Sequence, residues 1–512
     1  MTPLSSLPLR RPHCLPVRWS WSLLLGLAFA VAGRAQNVNL AVDATRTVRT
    51  VDERVFGVNA VLWDPQTGDA TTIALCNSAG IRAIRIPGGG MSDDYHWINH
   101  TQASTSQTWP EGFNYFAPLI AGTNCQTFVT VNYGSGTPQE AAAWVAYTNA
   151  SASILGSAAD VNIGTDSTGF DWKTAGYWST LRASTPLGTD DGKNFLRLGQ
   201  SAPFALKYWE VGNECYGTWE YDIQTAQHDP VKYGSRFAQY FAAMKAVDPT
   251  IKIGAVAVTS TEGPSYTYPT ESVMDPATNL PQTGWVPVML STIKGSGVMP
   301  DFLICHRYEQ NAGQENDATL LQLASAPATG WLVDATLLRG SLNDYFGAAA
   351  ANVELCVTEN NSVHNNPGKQ MNSLVNGLYL ADSLGSLLRT EFNSMLWWDL
   401  RNGPATNAAG TALVGNMSSS LYGWRINGDY GILSVPSTLA GETTYYDAFP
   451  TYYVMKLLSH FARGGDTILP ATSDNTLLSA FAAKRADGSL CLLVVNKSPS
   501  ATLTANVSLT GF

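Results

Sequence analysis

The chain has 512 residues, of which 45% are apolar and only 14% charged, and its formal net charge is −10. This composition is typical of a well-packed globular protein and argues against a disordered one, and the length suffices for one large domain with a smaller one beside it. Because the charge is negative and no basic stripe is present, we expect no nucleic-acid partner.

Residues 1–35 have the pattern of a secretory signal peptide. Arg10, Arg11 and Arg18 precede the apolar run WSLLLGLAFAVA, which is short for a membrane span, and small residues lead up to Gln36. We expect cleavage before Gln36 and a secreted or periplasmic protein with no membrane contact afterwards. Twin-arginine export and an uncleaved membrane anchor are the alternatives.

Between residues 51 and 462, short β-rich runs alternate with helical patterns. One helix start is indicated by Thr137, Pro138 and Glu140, which form a capping-box pattern. Near-continuous apolar strands alternating with helices predict a parallel sheet covered by helices, and eight such units predict an α/β fold of the (β/α)8 barrel type. A doubly wound sheet is the alternative, but no glycine-rich phosphate loop follows the first strand. The runs are VFGVNAV (55–61), IRAIRI (81–86), QTFVTVN (126–132), KYWEVGN (207–213), IKIGAVAV (251–258), DFLICHR (301–307), VELCVTE (353–359) and SMLWWDL (394–400).

The two ends of the chain predict a second, smaller unit. Residues 36–50 alternate as a strand, and residues 463–512 contain two strands around Asp487–Gly488, a strong hairpin signal. We expect both ends to build a small β-sandwich. The sequence stops at Phe512 directly after a predicted strand, which is one indication that this sandwich is truncated.

The sequence implies no cofactor and no metal. It has no dinucleotide motif, and its seven histidines show no ligand spacing with carboxylates. Six cysteines follow residue 35, scattered and without a CxxC pair. Export would permit disulfides, of which Cys76–Cys125 is the first to test. The oligomeric state is left open.

Active sites of such barrels lie at the C-terminal ends of the strands, where this chain places Glu214 and Glu359. One carboxyl that protonates a leaving oxygen and another that attacks an anomeric carbon, about 5–5.5 Å apart, suit retaining glycoside hydrolysis. Glu214 must then carry a proton, so we expect burial and the charge of Glu359 to raise its pKa. The other polar or aromatic residues at strand ends are Asn59, Arg85, Asn132, His306, Tyr308, Trp397 and Trp398.

Each of these residues has a structural reading of its own. A single strand-end glutamate, or His306 alone, is more often a satisfied structural group than a catalytic one. Glu210 lies a strand-length deeper than Glu214 and is interpreted as a buried partner for Arg82 or Arg85. The triplet Gly88–Gly90 is interpreted as a turn that lets substrate approach the backbone. The functional interpretation rests on the convergence of the whole set on one face.

Three stretches resemble the α-L-arabinofuranosidases of glycoside hydrolase family 51, which are retaining barrel enzymes of clan A: IRIPGGGMSDDYHW (84–97), NYGSGTPQEAAAWVAYTN (132–149) and YWEVGNECYGTW (208–219). The resemblance covers residues 51–460. It implies that Glu214 is the acid/base and Glu359 the nucleophile, with Asn213 beside the 2-hydroxyl of the sugar. It also implies that the nucleophile is supported by Arg85, His306 and Tyr308. The further substrate-binding residues that we expect are Asn59, Trp97, Asn132 and Trp398.

Two positions depart from that family. The arabinofuranosidases have a glutamate near the position of Asn59 and an asparagine at the position of Gly90. The segment VTENNSV and the tryptophans of strand eight look more like the β-xylosidases of family 39. We therefore expect a retaining hydrolase of plant or microbial polysaccharide, with α-L-arabinofuranosidase action on arabinan or arabinoxylan placed ahead of endo-β-glycanase or β-xylosidase action. A sugar-binding barrel without turnover is the alternative from another class.

Overall fold

The computed structural model describes residues 36–109, 112–259 and 271–512, so the predicted signal segment 1–35 lies outside the described residues. The strands are β1 (Gln36–Asp43), β2 (Arg49–Thr50), β3 (Gly57–Asn59), β4 (Ala83–Ile86), β5 (Tyr95–His96), β6 (Thr101–Gln102), β7 (Gln126–Val131), β8 (Tyr208–Val211), β9 (Lys252–Val256), β10 (Ser272–Met274), β11 (Pro281–Thr283), β12 (Phe302–Gln310), β13 (Glu354–Val363), β14 (Met395–Trp397), β15 (Thr467–Leu469), β16 (Ala471–Ser473), β17 (Leu478–Lys484), β18 (Leu490–Asn496) and β19 (Leu503–Thr510). The α-helices are α1 (Ala70–Ala79), α2 (Phe113–Thr123), α3 (Pro138–Asn149), α4 (Ala175–Ala183), α5 (Pro230–Val247), α6 (Trp285–Gly295), α7 (Asp317–Leu323), α8 (Trp331–Phe346), α9 (Leu374–Leu387) and α10 (Pro450–Phe461).

Eight parallel strands close into a barrel in the order β12-β13-β14-β3-β4-β7-β8-β9. Each of them falls within or overlaps one of the eight apolar runs, so the predicted (β/α)8 barrel is confirmed. Every residue of β4 and β8 is buried, as expected for strands that face the barrel interior on one side and helices on the other. The C-terminal ends of these strands bring distant parts of the chain to one face of the barrel.

The chain ends form two further sheets. In one, β1 pairs with β16 and β19; in the other, β2, β15, β17 and β18 lie side by side. Val38 and Leu40 of β1 pack against Leu478 and Ala480 of β17, which gives the two sheets a common apolar core. The predicted sandwich from the N- and C-terminal segments is therefore present.

Two local predictions need correction. Thr137 does cap α3 by accepting a bond from the amide of Glu140, but the Glu140 carboxylate binds Nδ1 of His96 at 3.0 Å instead of completing the capping box. Cys76 and Cys125 are both free thiols and form no disulfide.

None of the helices in the described ranges is long and apolar enough to span a bilayer.

Candidate active site

The turn that follows β8 presents Asn213 and Glu214. Gly212 and Glu214 both adopt left-handed backbone conformations, with φ of 79° and 38°, so the chain turns sharply at the end of the strand. The backbone amide of Asn213 donates to Asp93 Oδ2 at 3.1 Å, which ties this turn to the segment after β4. A left-handed conformation is unfavourable for a glutamate, so the fold holds Glu214 in place at some local cost.

Glu214 and Glu359 face each other across one cavity. Oxygens of the two carboxylates and a nitrogen of His306 all lie within 4.8 Å of one another. The cavity has a volume of about 730 Å³ and is lined by both glutamates. Glu359 reaches it from β13, where it is paired in register with His306 of β12. The two predicted carboxylates therefore meet at the barrel mouth.

Two donors bind the carboxyl group of Glu359. Arg85 Nη1 donates to its Oε1 at 2.7 Å, and the hydroxyl of Tyr308 donates to its Oε2 at 2.6 Å. Only 6% of the Glu359 side chain is exposed, so both bonds act where water screens little. Burial and the charge of Glu359 raise the pKa of Tyr308 well above its usual value, so its hydroxyl remains a donor. These contacts suit an ionised nucleophile.

Glu214 is bonded to His306 and Trp219. His306 Nδ1 lies 2.9 Å from its Oε1, and Trp219 Nε1 donates to its Oε2 at 2.9 Å. Burial raises the pKa of Glu214, but the hydrogen bond and charge of His306 together with the Trp219 bond outweigh it, so the pKa is lowered. The expected rise of this pKa is wrong, because Glu214 is bonded to His306, which the resemblance assigned to Glu359, and to Trp219, which was not identified from the sequence.

His306 joins the two carboxylates. Its Nδ1 is 3.7 Å from Oε2 of Glu359, against 2.9 Å from Glu214, so its hydrogen bond goes to the acid/base candidate. Its Nε2 lies 3.0 Å from Oγ1 of Thr358, which fixes the plane of the ring. A proton on Nδ1 can therefore be shared with Glu214.

Arg85 is the centre of a fully buried polar network. Besides Glu359, it donates to Glu210 Oε2 and to Asn213 Oδ1, each at 2.7 Å, and to Asn59 Oδ1 at 3.2 Å. Glu210 thus has Arg85 as its buried partner, one of the two arginines proposed from the sequence. The fork of a guanidinium can orient a nucleophile and a substrate-binding amide at the same time.

Three residues expected to bind substrate lie elsewhere. Asn59 is fully buried, and its Nδ2 donates to the carbonyl of Thr358 at 2.9 Å. The Asn132 carboxamide oxygen accepts from the amides of Ser135 and Gly136, each at 2.9 Å, so this side chain shapes its own loop. Trp97 is 1% exposed and donates its Nε1 to the carbonyl of Glu140. All three belong to the supporting structure, and none lines the cavity.

Trp398 does line the cavity, and it also covers the glycine triplet. A Cβ on Gly89 would lie 2.5 Å from the Trp398 ring, and a Cβ on Gly90 would lie 2.6 Å from Oε2 of Glu220. Side chains therefore lie close to this turn. Gly89 and Gly90 nevertheless line the cavity, so the interpretation that substrate approaches the glycine backbone stays a prediction.

Several lining residues were missed from the sequence: Trp63, Tyr216, Trp219, Glu220 and Tyr430. Trp219 ends the stretch YWEVGNECYGTW and Glu220 follows it directly, so the motif that marks Glu214 stops one residue short of Glu220. The tyrosines and tryptophans give the cavity aromatic walls, which are common platforms for sugar rings.

The same three groups at the mouth could in principle hold a cation. In the described part of the chain, Glu214, His306 and Glu359 each offer one ligand atom within 4.8 Å of the others. However, the Arg85 guanidinium lies 2.7 Å from Glu359, and a bound cation would be repelled by it. The donor set fits an acid and a nucleophile better than a metal site.

Comparison with known proteins points to one group of enzymes. Residues 181–286 match the alpha-L-arabinofuranosidase 1 domain. A probable alpha-L-arabinofuranosidase C of Aspergillus clavatus is 28% identical in an alignment 256 residues long that covers 44% of this chain and 42% of that protein. The chain therefore matches less than half the length of this relative.

Solved structures share the fold over almost the whole chain. An alpha-L-arabinofuranosidase from Thermotoga maritima, solved as an arabinose complex, superposes with a TM-score of 0.64 at 16% identity and covers 93% of this chain and 88% of that one. A bifunctional glucanase-xylanase from a metagenome library gives a TM-score of 0.55 at 17% identity, covering 93% and 91%. The resemblance to clan A arabinofuranosidases predicted from the sequence is confirmed.

Proposed function

We propose that this chain, which resembles the α-L-arabinofuranosidases in sequence and in fold, is a glycoside hydrolase that acts on a carbohydrate with retention of anomeric configuration. The observation that carries the proposal is the approach of Glu214 and Glu359 oxygens to within 4.8 Å across the cavity. Retaining enzymes hold their two carboxyl groups about 5–5.5 Å apart, whereas inverting enzymes need about 6.5–9.5 Å to admit a water molecule.

In the first step, Glu359 attacks the anomeric carbon while the bond to the leaving oxygen breaks and that oxygen takes a proton from Glu214. The donors Arg85 and Tyr308 bind and orient the Glu359 carboxyl before attack. The pKa of Glu214 is lowered, so this carboxyl loses its proton readily. His306 Nδ1, 2.9 Å from Glu214, is placed to pass a proton back to it. The product is a glycosyl-enzyme and a free leaving group.

In the second step, Glu214 acts as a base. It takes a proton from a water molecule whose oxygen attacks the anomeric carbon, and the bond to Glu359 breaks. The bonds to Glu214 from His306 and Trp219 favour the carboxylate that this step requires. Two displacements at one carbon restore the starting configuration.

For the substrate, we propose α-L-arabinofuranosyl side chains of arabinan or arabinoxylan. The match of residues 181–286 and the arabinofuranosidase relative support this choice. An endo-β-glycanase or β-xylosidase is the second candidate, because Trp63, Trp219 and Trp398 flank the cavity and a glucanase-xylanase shares the fold. We also propose that residues 1–35 direct export, as a polymeric extracellular substrate would require.

The test is the product profile of the protein from Gln36 onward on arabinoxylan and on a panel of β-glycans, with the Glu359→Gln variant as control. Free arabinose released from an intact backbone, and lost in the variant, is the expected result. Backbone oligosaccharides would favour the second candidate. Sugar binding that is equal in both proteins, without any product, would contradict hydrolysis and leave a binding protein.

A further inference from the structure

Besides Glu214 and Glu359, the carboxyl residues Glu220 and Glu309 line the cavity, and the two-carboxylate mechanism uses neither. Glu309 is paired with Arg307, so Glu220 is the one considered for substrate binding. Its side chain lines the same cavity as Glu214 and Glu359, and the residue is 7% exposed. Its Oε1 accepts a hydrogen bond from Nδ2 of Asn213 at 2.9 Å. Among the described residues, no group donates to its Oε2. Oε2 is not among the fully buried unpartnered side-chain atoms, so it is accessible from the cavity, where a ligand group can reach it.

The place of Glu220 depends on Gly90. A Cβ on Gly90 would lie 2.6 Å from Oε2 and 2.9 Å from Oε1 of Glu220, which is closer than any side chain tolerates. Gly88 and Gly89 have positive φ angles and need glycine for their conformation, whereas Gly90 is not among the positive-φ residues. A side chain at position 90 would therefore force the Glu220 carboxyl to move from its present position. The Glu220 carboxyl thus lies in the space that a side chain at position 90 would take.

Glu220 also fixes the amide of Asn213. Asn213 Oδ1 accepts from Arg85 at 2.7 Å, so its Nδ2 must be the end that donates to Glu220. A carboxamide nitrogen carries two hydrogens, and only one of them is used in this bond. Among the described residues, no acceptor takes the other hydrogen. Glu220, which lines the cavity, is the member of this pair that a bound sugar reaches first.

The charges around Glu220 favour its neutral form. Burial and the negative charges of Asp93, Glu214 and Glu359 raise its pKa well above the usual value, against the bond from Asn213 that lowers it. A protonated carboxyl both donates and accepts, and a hydroxyl is the sugar group that can answer both roles. The raised pKa of Glu220 therefore favours a neutral ligand that carries a hydroxyl group.

We propose that Glu220 is a specificity-determining residue, which binds a free ring hydroxyl of the sugar at the cleaved position and holds the Asn213 amide in its binding orientation, in space that Gly90 leaves open. The inference rests on the proposed function in so far as the cavity must bind sugar. It predicts that sugars lacking that hydroxyl, or carrying a substituent on it, are poor substrates, since a buried polar group is then left unpaired or displaced.

The first experiment compares wild type, Glu220→Gln and Glu220→Ala on the preferred aryl glycoside and on its 2-deoxy and 3-deoxy analogues. Glu220→Ala should lower kcat/KM on the hydroxylated substrate at least tenfold and reduce the discrimination against one deoxy analogue by a similar factor. Glu220→Gln should keep more of the kcat/KM on the hydroxylated substrate and more of the discrimination against the deoxy analogue. Glu391→Ala, an exposed change away from the cavity, serves as the control. Unchanged discrimination in Glu220→Ala would overturn the proposal.

The second experiment is a double-mutant cycle of Gly90→Ala and Glu220→Ala, read as Tm and as affinity for free L-arabinose and D-xylose and their 2-deoxy forms. Gly90→Ala should lower Tm and affinity in the presence of Glu220 and change neither in the Glu220→Ala background. Additive effects would overturn the spatial coupling. Because the binding readout requires no turnover, it decides the inference even if every glycoside resists hydrolysis, an outcome that would contradict only the proposed function.

Discussion

His306 Nδ1 lies 2.9 Å from Oε1 of Glu214, so the candidate acid is bonded to a titratable donor. Burial raises the pKa of Glu214, and the hydrogen bond and the charge of His306 contribute most to lowering it. In a retaining hydrolase the alkaline limb of kcat/KM reports the acid, so His306 should set where activity is lost on raising the pH.

Replacing His306 by Phe keeps a ring and removes both nitrogens. The pKa of Glu214 should rise, because a group that stabilises its charged form is gone, and the alkaline limb of the kcat/KM profile should move to higher pH. The measurement is a pH–rate profile with an aryl glycoside, and His460→Phe, an exposed change on α10, is the control. A shift of that limb to lower pH would contradict the assigned role.

Arg85→Lys should damage both activity and stability. One ammonium cannot reach Glu210, Glu359 and Asn213 together, so at least one buried carboxylate loses its partner. We expect a loss of about 3 kcal/mol in unfolding free energy and at least a hundredfold lower kcat. Denaturant unfolding and kinetics measure the two, and the exposed Arg46→Lys should change stability by no more than about 0.5 kcal/mol. Near-native values for Arg85→Lys would refute the network.

Glu214 has a φ of 38°, which glycine adopts more readily than any other residue. Glu214→Ala and Glu214→Gly both remove the carboxyl, but only the second relieves the backbone. We expect the glycine variant to be the more stable of the two, by up to about 1 kcal/mol after the greater flexibility of unfolded glycine is offset. The comparison is made by denaturant unfolding at one pH. An alanine variant at least as stable as the glycine variant would show that the turn carries no such strain.

Asp429 should make the protein less stable as the pH rises. Burial raises its pKa to about 7, against lowering bonds from Gly431 and Gly403, whereas an unfolded aspartate has a pKa of about 3.9. Between these values the folded state holds the extra proton, so the unfolding free energy falls with rising pH. Asp429→Asn keeps the acceptor for the amide of Gly431 and removes this dependence.

The measurement for Asp429→Asn is unfolding free energy at pH 4, 5.5 and 8. The variant should gain on wild type, on the order of a few kcal/mol, as the pH increases. Asp487→Asn is the comparison of opposite sign, because bonds from Ser489 lower the pKa of that exposed carboxyl. A difference between wild type and Asp429→Asn that is the same at all three pH values would contradict the raised pKa.

The barrel and its carboxylates could be predicted because their signals are local. Each strand is a short apolar run, and the residue at its end is identified directly from the sequence, so Glu214 and Glu359 are assigned to one face by the order of the chain alone. The partners Arg85 and Tyr308 followed from the same rule, and both donate to Glu359.

What could not be predicted depends on contacts between distant residues. Asn59 ends its strand as a binding residue would, but its amide is taken by Thr358, 299 positions away. Asn132 is taken by its own loop, and His306 lies closer to Glu214 than to Glu359 by less than 1 Å. Glycine at position 90 stood out as a departure from a family, but the Glu220 carboxyl, 2.6 Å from where its Cβ would lie, reaches it only through the folding of the chain.

The most direct test of the central claim is rescue by azide of two variants, Glu359→Gly and Glu214→Ala, on an aryl glycoside, with the anomeric configuration of each glycosyl azide read by NMR. If Glu359 is the nucleophile, azide replaces it in a single displacement and the product is inverted relative to the substrate. If Glu214 is the acid/base, azide attacks the glycosyl-enzyme and the product is retained. Exchanged outcomes, or rescue of neither variant while wild type hydrolyses the substrate, would contradict the assignment of the two glutamates.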